Sequence, residues 1–486
     1  MILKEKIICL IRKRKHYVNQ PTRSLDTSSQ ERVGWLTAGK LILLSIISLG
    51  VIVALLSLSG EPDTLVLRDR MISFWGLFIL MGIAYLMSNN RSAISLRVVI
   101  SGILIQLAFA LAVMKTHAGQ VFFQVIGNAF SGLLAFTNKG AAFLFGEKLL
   151  DSTNFSFIFA FQVLPTVIFV SSVTAVLYYF GVLQRVVGAM AWVMTKLMKI
   201  SGAESLSSAV NVFVGQTEAP LFIRPYVPRM TNSELMVVMT GGFATIAGAV
   251  MAAYAIFLKQ AGLATGPGHL LAASVLSAPA AIVMAKIMFP ETGKPETAGS
   301  GTVNIPITDV NAIDAAARGA SEGLRLAVNV GAMLLAFIAF IALFNWVVGE
   351  GLDKLLVWQG FSPLQLSLEK LFGWAFSPLA WIMGVPWKDC IQVGNLLGQK
   401  TIINEFVAYL NLAPMVKEGT ISLRSQIIAL YALCGFSNLS SIAIQLGGIG
   451  VLAPDRRGDL ARLGLRAMIA GSLACFMTAC FAGMLI

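Results

Sequence analysis

The stretch NVFVGQTEAP, residues 211–220, sets Asn211, Gln216, Thr217 and Glu218 beside Gly215 and Pro220 in a part of the chain that is otherwise apolar. A second island, GNLLGQKTIINEFVAYL at 394–410, presents Asn404 and Glu405. Amides, hydroxyls and carboxylates that lack a paired nucleophile and base are equipment for holding a polar solute by hydrogen bonds, with each ionised carboxylate acting as an acceptor. An ionised side chain at the centre of a spanning helix costs about 2.5–3.5 kcal/mol on insertion scales. Two such acids call for a use. The structural alternative is an internal ion pair in each island, Glu218 with Arg224 and Glu405 with Lys400. Ser440, Thr240 and Thr166 need no special role, because hydroxyls on spanning helices commonly bond a neighbouring carbonyl.

Composition says what must hold these groups. Of 486 residues, 12% are charged and 57% hydrophobic, against roughly 25% charged in soluble domains. Runs near the about 20 apolar residues needed to cross a hydrocarbon core occur at 35–59, 71–89, 98–115, 155–181, 235–259, 268–290, 322–348, 424–447 and 464–486. The chain reads as an all-α polytopic membrane protein. Lys4, Lys6, Arg12, Lys13, Arg14 and Lys15 make residues 1–34 a basic arm that the positive-inside bias puts in the cytoplasm, and the loop with Arg91 and Arg97 agrees. The arm is too long and too polar for the start of a cleaved signal peptide. Loop Lys and Arg obeying topology explain the net charge of +12 without a nucleic-acid partner.

Organisation is more informative than the number of runs. Three N-terminal transmembrane helices occupy 35–118. Residues 119–148 mix apolar positions with amides and read as a helix lying along the interface, or else as an imperfect span, while 181–199 suggests a second in-plane arm. The first half of the core fills 119–290, a polar link rich in Pro, Gly and Thr covers 291–310, and a second half runs over 311–486. Each half repeats one arrangement. The segment with Glu218 is followed by the glycine-interrupted GGFATIAGAV at 241–250, and the segment with Glu405 by CGFSNLSSIAIQLGG at 434–448. Interrupted segments at corresponding places in two halves are the mark of a transporter built from inverted repeats with its site near the midplane. Such backbone is tolerated only where protein or a watery cavity satisfies it.

Other chemistries find little support. Cys9, Cys390, Cys434, Cys475 and Cys480 are odd in number and form no CxxC pair, and His16, His117 and His269 lie far apart, against a disulfide framework or a zinc site. Neither a GxSxG elbow nor an HExxH helix appears, which disfavours a membrane enzyme, and no Walker loop is present. A channel would want a lining that leaves an ion path, whereas the polar groups here cluster in two islands.

The motifs GAESLSSAVNVFVGQTEAPLFIRPYV, MTGGFATIAGAVMAAY, GNLLGQKTIINEFVAYLNL and CGFSNLSSIAIQLGGIG, with QVLPTVIFVSSVTAVLYYFG upstream, resemble those of the concentrative nucleoside transporters over most of the chain from about residue 120. The basic arm lies outside that pattern. The resemblance implies a homotrimer in the plasma (inner) membrane, in contact with lipid, with a scaffold domain and a mobile transport domain carrying two oppositely oriented re-entrant hairpins and two unwound helices. It also implies a symporter with elevator-like alternating access, no organic cofactor and no enzymatic activity.

By position, Gln216, Thr217 and Glu218 look like the group that faces the nucleobase, with Val250 bordering it. Glu405, Asn438 and Ser441 look like the ribose group, and Phe436 packs against the ligand. The chemistry agrees: one carboxylate takes both donors of a vicinal diol, while an amide and a hydroxyl suit the mixed edge of a base. Two acids would repel a phosphate, which favours free nucleosides over nucleotides. The resemblance assigns a sodium site to Asn211, Val214, Thr245 and Ile246, whose side-chain and backbone oxygens fit a small hard cation. Relatives that use protons depart from NVFVGQTEAP, and this chain keeps it; the alternative is proton coupling through Glu405.

Overall fold

The computed structural model describes residues 64–150, 158–263, 265–299, 309–360 and 366–486. The expected basic arm (1–34), the first expected span (35–59) and residues 300–308 of the polar link lie outside the described residues. Every regular element among the described residues is helical.

Among the described residues three helices come first: α1 (Thr64–Leu86), α2 (Leu96–Lys115) and α3 (His117–Phe145). The stretch read above as an interfacial helix or an imperfect span is one unbroken helix, α3, of 29 residues, with the length and apolarity of a span. Next stand α4 (Leu164–Tyr179), opened by Pro165, and α5 (Val182–Met198), which buries Val187, Ala191, Met194 and Met198 on one face. The chain then dips into α6 (Gly202–Val210), turns through 211–218 and returns in short 3-10 turns, Ala219–Ile223 and Val227–Arg229. Pro220, Pro225 and Pro228 lack the N–H that an α-helix would need there. This is the first hairpin, helical on its inward arm only.

A broken helix follows, α7 (Asn232–Ala244) and α8 (Gly248–Gln260), and then α9 (Gly266–Met288). The second half repeats the order. It has α10 (Ala312–Asn345), α11 (Leu368–Ile382), a hairpin of α12 (Cys390–Ile402) and α13 (Glu405–Glu418), a broken helix of α14 (Leu423–Leu433) and α15 (Leu439–Leu452), and α16 (Arg457–Leu485). The apolar run at 424–447 is therefore two shorter helices.

Caps show why the chain stops and starts where it does. Ser201 with Glu204 and Thr231 with Glu234 form complete capping boxes at α6 and α7, each satisfying two orphan N–H donors. Lys286 near the end of α9 ion-pairs with Glu204, tying that end of α9 to the start of the first hairpin. Helix α10 packs on α4 through Ala315, Gly319, Gly323 and Ala327, one small residue per turn. A Cβ on Gly319 would meet Ser171 O at 2.7 Å, so the two backbones touch.

The two breaks lie against each other. Thr245 and Ala247 are extended, Gly435 has φ of 132°, and a Cβ on Gly435 would meet Phe243 O at 2.7 Å. Carbonyls freed by the breaks find side-chain donors: Ser437 Oγ to Phe243 O at 2.8 Å and Cys475 Sγ to Cys434 O at 2.6 Å. Only glycine suits position 435 on both conformation and space. Gly435→Ala is expected to destabilise the protein by about 1–3 kcal/mol, read as a lower Tm in detergent; an unchanged Tm would refute this account of the crossing.

Candidate solute-binding site

The tips of both hairpins and the starts of α8 and α15 converge. Asn404 caps α13 by accepting from Val407 N at 2.9 Å, which leaves Glu405 as the first residue of that helix, 4% exposed. Its carboxylate accepts from Tyr254 OH on α8 at 3.0 Å and from Asn438 Nδ2 at 2.8 Å. Asn438 in turn caps α15, its Oδ1 accepting from Ser441 N at 2.9 Å. Ser441 Oγ accepts from Gln216 Nε2 of the first hairpin at 3.2 Å. One hydrogen-bonded row thus links Gln216, Ser441, Asn438 and Glu405, and joins the two hairpins through α15.

The remaining expected residues sit around this row. Glu218 bends back to accept from Gly215 N at 2.9 Å. It lines a cavity of about 120 Å3 together with Val214, Tyr178 of α4, and Arg318 and Glu322 of α10. Thr217 lies against Gly448 on α15, where a Cβ would come within 2.8 Å of its methyl. Val250 is buried in the first turn of α8, and Phe436 is half-buried in the break before α15, its carbonyl accepting from Asn438 N at 2.9 Å. Neither alternative ion pair, Glu218 with Arg224 or Glu405 with Lys400, occurs among the described residues; Lys400 Nζ donates to Ala432 O at 2.8 Å instead.

The residues expected to hold a cation also gather where the first hairpin meets the break in α7–α8. Asn211 is 1% exposed, and both its amide atoms lack a hydrogen-bond partner. Phe213 O accepts from Gly248 N at 2.9 Å, seating the hairpin tip on the start of α8. Thr245 Oγ1 donates to Gly241 O at 2.8 Å and keeps its lone pairs free, while Ile246 lies within the break. A buried amide oxygen without a donor suits a cation ligand, since leaving such a group unpaired costs about 1–3 kcal/mol.

Several residues escaped the sequence reading. Tyr254 and Gln445 both stand in the quoted motifs, as buried polar groups on otherwise apolar helices. Arg318 is held bidentately by Asp309, at 2.7 and 2.8 Å, and also by Glu322 at 2.9 Å. Tyr178 OH is buried without a partner at the edge of the cavity.

Two re-entrant hairpins and two broken helices around a buried polar row define a secondary transporter of the inverted-repeat type. Residues 75–148 match the family described as Na+ dependent nucleoside transporter N-terminus, 160–261 match nucleoside recognition ("gate"), and 269–483 match Na+ dependent nucleoside transporter C-terminus. An uncharacterized transporter of Haemophilus influenzae is 42% identical over 418 residues, covering 85% of this chain and 97% of that protein. Solute carrier family 28 member 3 of Rattus norvegicus is 40% identical over 434 residues, covering 86% of this chain and 59% of that protein, so the chain spans about three-fifths of that relative's length. The structure of CNTnw in an inward-facing substrate-bound state superposes with a TM-score of 0.77 at 42% identity, over 86% of this chain and 98% of that one. The chain belongs to the concentrative nucleoside transporter family, whose matched members are transporters and not enzymes.

The clamp on Arg318 gives a pH prediction. Arg318's hydrogen bonds hold the Asp309 carboxyl below the usual carboxylate range. A depressed folded-state value contributes stability above the ordinary pKa, about 3.9, and loses it as pH falls through the folded value. Wild-type Tm is therefore expected to drop more steeply below about pH 4 than that of Asp309→Asn; parallel curves would remove the clamp from the stability of α10.

Proposed function

We propose that the protein is a secondary active symporter that imports nucleosides on a sodium gradient. The observation that carries this reading is the buried row from Gln216 to Glu405, which joins both hairpins and offers donors at one end and a carboxylate at the other. The Glu405 carboxylate, with Tyr254 and Asn438 on its two oxygens, keeps lone pairs for the two hydroxyl donors of a ribose. Gln216, Thr217 and Glu218 face the base, Val250 and Phe436 border the ligand, and Ser441 completes the sugar shell. Sodium is taken at Asn211 and Thr245 with backbone oxygens of Val214 and Ile246, a reading supported by the partnerless Asn211 amide.

The transport core moves as an elevator within a homotrimer of the plasma membrane, surrounded by lipid and with the N-terminus cytoplasmic. One cation crossing 100 mV supplies about 2.3 kcal/mol and a tenfold ion gradient about 1.4 more, enough for roughly several-hundred-fold accumulation of a neutral solute.

The test is tritiated uridine uptake into proteoliposomes under an inward sodium gradient, against potassium and against a proton gradient alone. Sodium-dependent accumulation with counterflow is expected; uptake on the proton gradient alone would replace sodium by the proton, and absence of uptake from every gradient would end the reading. Glu405→Gln removes a charged acceptor and is expected to lower uridine uptake efficiency about 10- to 100-fold with an unaltered Tm. Unchanged uridine affinity in that variant would overturn the ribose assignment.

A further inference from the structure

Gln445 stands on α15 one turn beyond Ser441, 1% exposed. Its Nε2 donates to Met239 O on α7 at 3.0 Å and to Gln216 Oε1 at 3.0 Å. A backbone carbonyl only accepts, so Met239 decides which end of the Gln445 amide faces it. Once that end is the NH2 group, the second N–H points at Gln216, whose oxygen must face Gln445 and whose own NH2 group must face Ser441. The reverse orientation would set Gln445 Oε1 against Met239 O, lone pair against lone pair. Gly242 makes the meeting place: a Cβ there would fall 2.8 Å from both Gln216 Cβ and Gln445 Nε2.

We infer that Gln445 is a positioning residue that fixes the polarity of the solute site. Through it a carbonyl of α7 commits Gln216 to donating: Gln216 keeps one N–H for the ligand beyond the one given to Ser441. Ser441 Oγ already accepts from Gln216, which leaves its own proton to donate. Gln216 and Ser441 thereby supply donors at one end of the row, with the acceptor carboxylate of Glu405 at the other. The ligand that fits is a nucleoside whose base turns an oxo oxygen toward Gln216; an exocyclic amino group there would set N–H against N–H. This rests on the reading of the cavity as a nucleoside site.

The test compares Vmax/KM for uridine, cytidine, inosine and adenosine in wild type, Gln445→Glu, Gln445→Met, Gln216→Ala and the Gln216→Ala/Gln445→Glu double variant. A glutamate at 445 has at most one donor: protonated, it spends its O–H on Met239 O and turns its carbonyl oxygen to Gln216, so Gln216 turns over and its oxygen faces the ligand. Gln445→Glu is expected to lower the oxo-to-amino ratio, uridine to cytidine and inosine to adenosine, about tenfold, as for one misdirected hydrogen bond. The change should vanish in the Gln216→Ala background, which a purely structural role for Gln445 would not produce. If Gln445→Glu does not fold, Gln445→Met carries the test, and its ratios should move toward unity. Ratios equal to wild type in a folded, transporting Gln445 variant, or a shift that persists without Gln216, overturn the inference. A wild-type protein that takes up none of the four nucleosides would instead overturn the functional reading on which it rests.

Discussion

A peptide group released from a helix inside a bilayer has no water to turn to, and the whole core is arranged around that constraint. Four interruptions, two hairpin tips and two breaks, each free several backbone groups. The structure satisfies them with one another. Ser437 and Cys475 serve carbonyls at the crossing of the breaks, Phe213 serves the first N–H of α8, and Asn404 and Asn438 cap the helices that restart. The side chains that do this are the same ones, or neighbours of the ones, that form the buried polar row from Gln216 to Glu405. That row is backbone repair with lone pairs to spare.

The two halves meet this demand differently. The second hairpin keeps two α-helical arms and relies on asparagine caps. The first gives up helix on its returning arm, where three prolines remove donors that would otherwise need partners. Glu218 sits on that irregular arm, partly exposed to a cavity shared with α4 and α10, whereas Glu405 is fixed by Tyr254 and Asn438.

Much of this was legible in the sequence because interruption leaves a chemical trace. Gly, Pro, Asn and Glu inside apolar runs marked both hairpins and both breaks, and the family motifs named Gln216 in one expected group and Asn438, Ser441 and Glu405 in another, which the structure joins in one hydrogen-bonded row. What the sequence hid was contact across elements. Tyr254 lies inside the apolar run at 235–259, with nothing around it to mark its hydroxyl; only the fold brings that hydroxyl to Glu405 on a different half. Gln445 is a lone amide in an apolar helix, unremarkable until Met239 and Gln216 are seen on either side. Arg318 carries no sequence signal of its own, and its position at the cavity depends on the backbone contact of α10 with α4. The character of 119–148 was undecidable from composition, since amides at helical spacing suit a surface helix and a span alike.

The crossing at Gly435 also bears on how such a molecule changes over generations. Phe243 and Ala244 belong to one half of the chain and Gly435, Ser437 and Cys475 to the other, yet they share one set of peptide partners. A replacement on either side disturbs both. Although the halves repeat a common plan, they have lost the freedom to drift separately, and a hybrid that borrows one half from a distant cousin inherits a mismatched centre unless both breaks are carried over together.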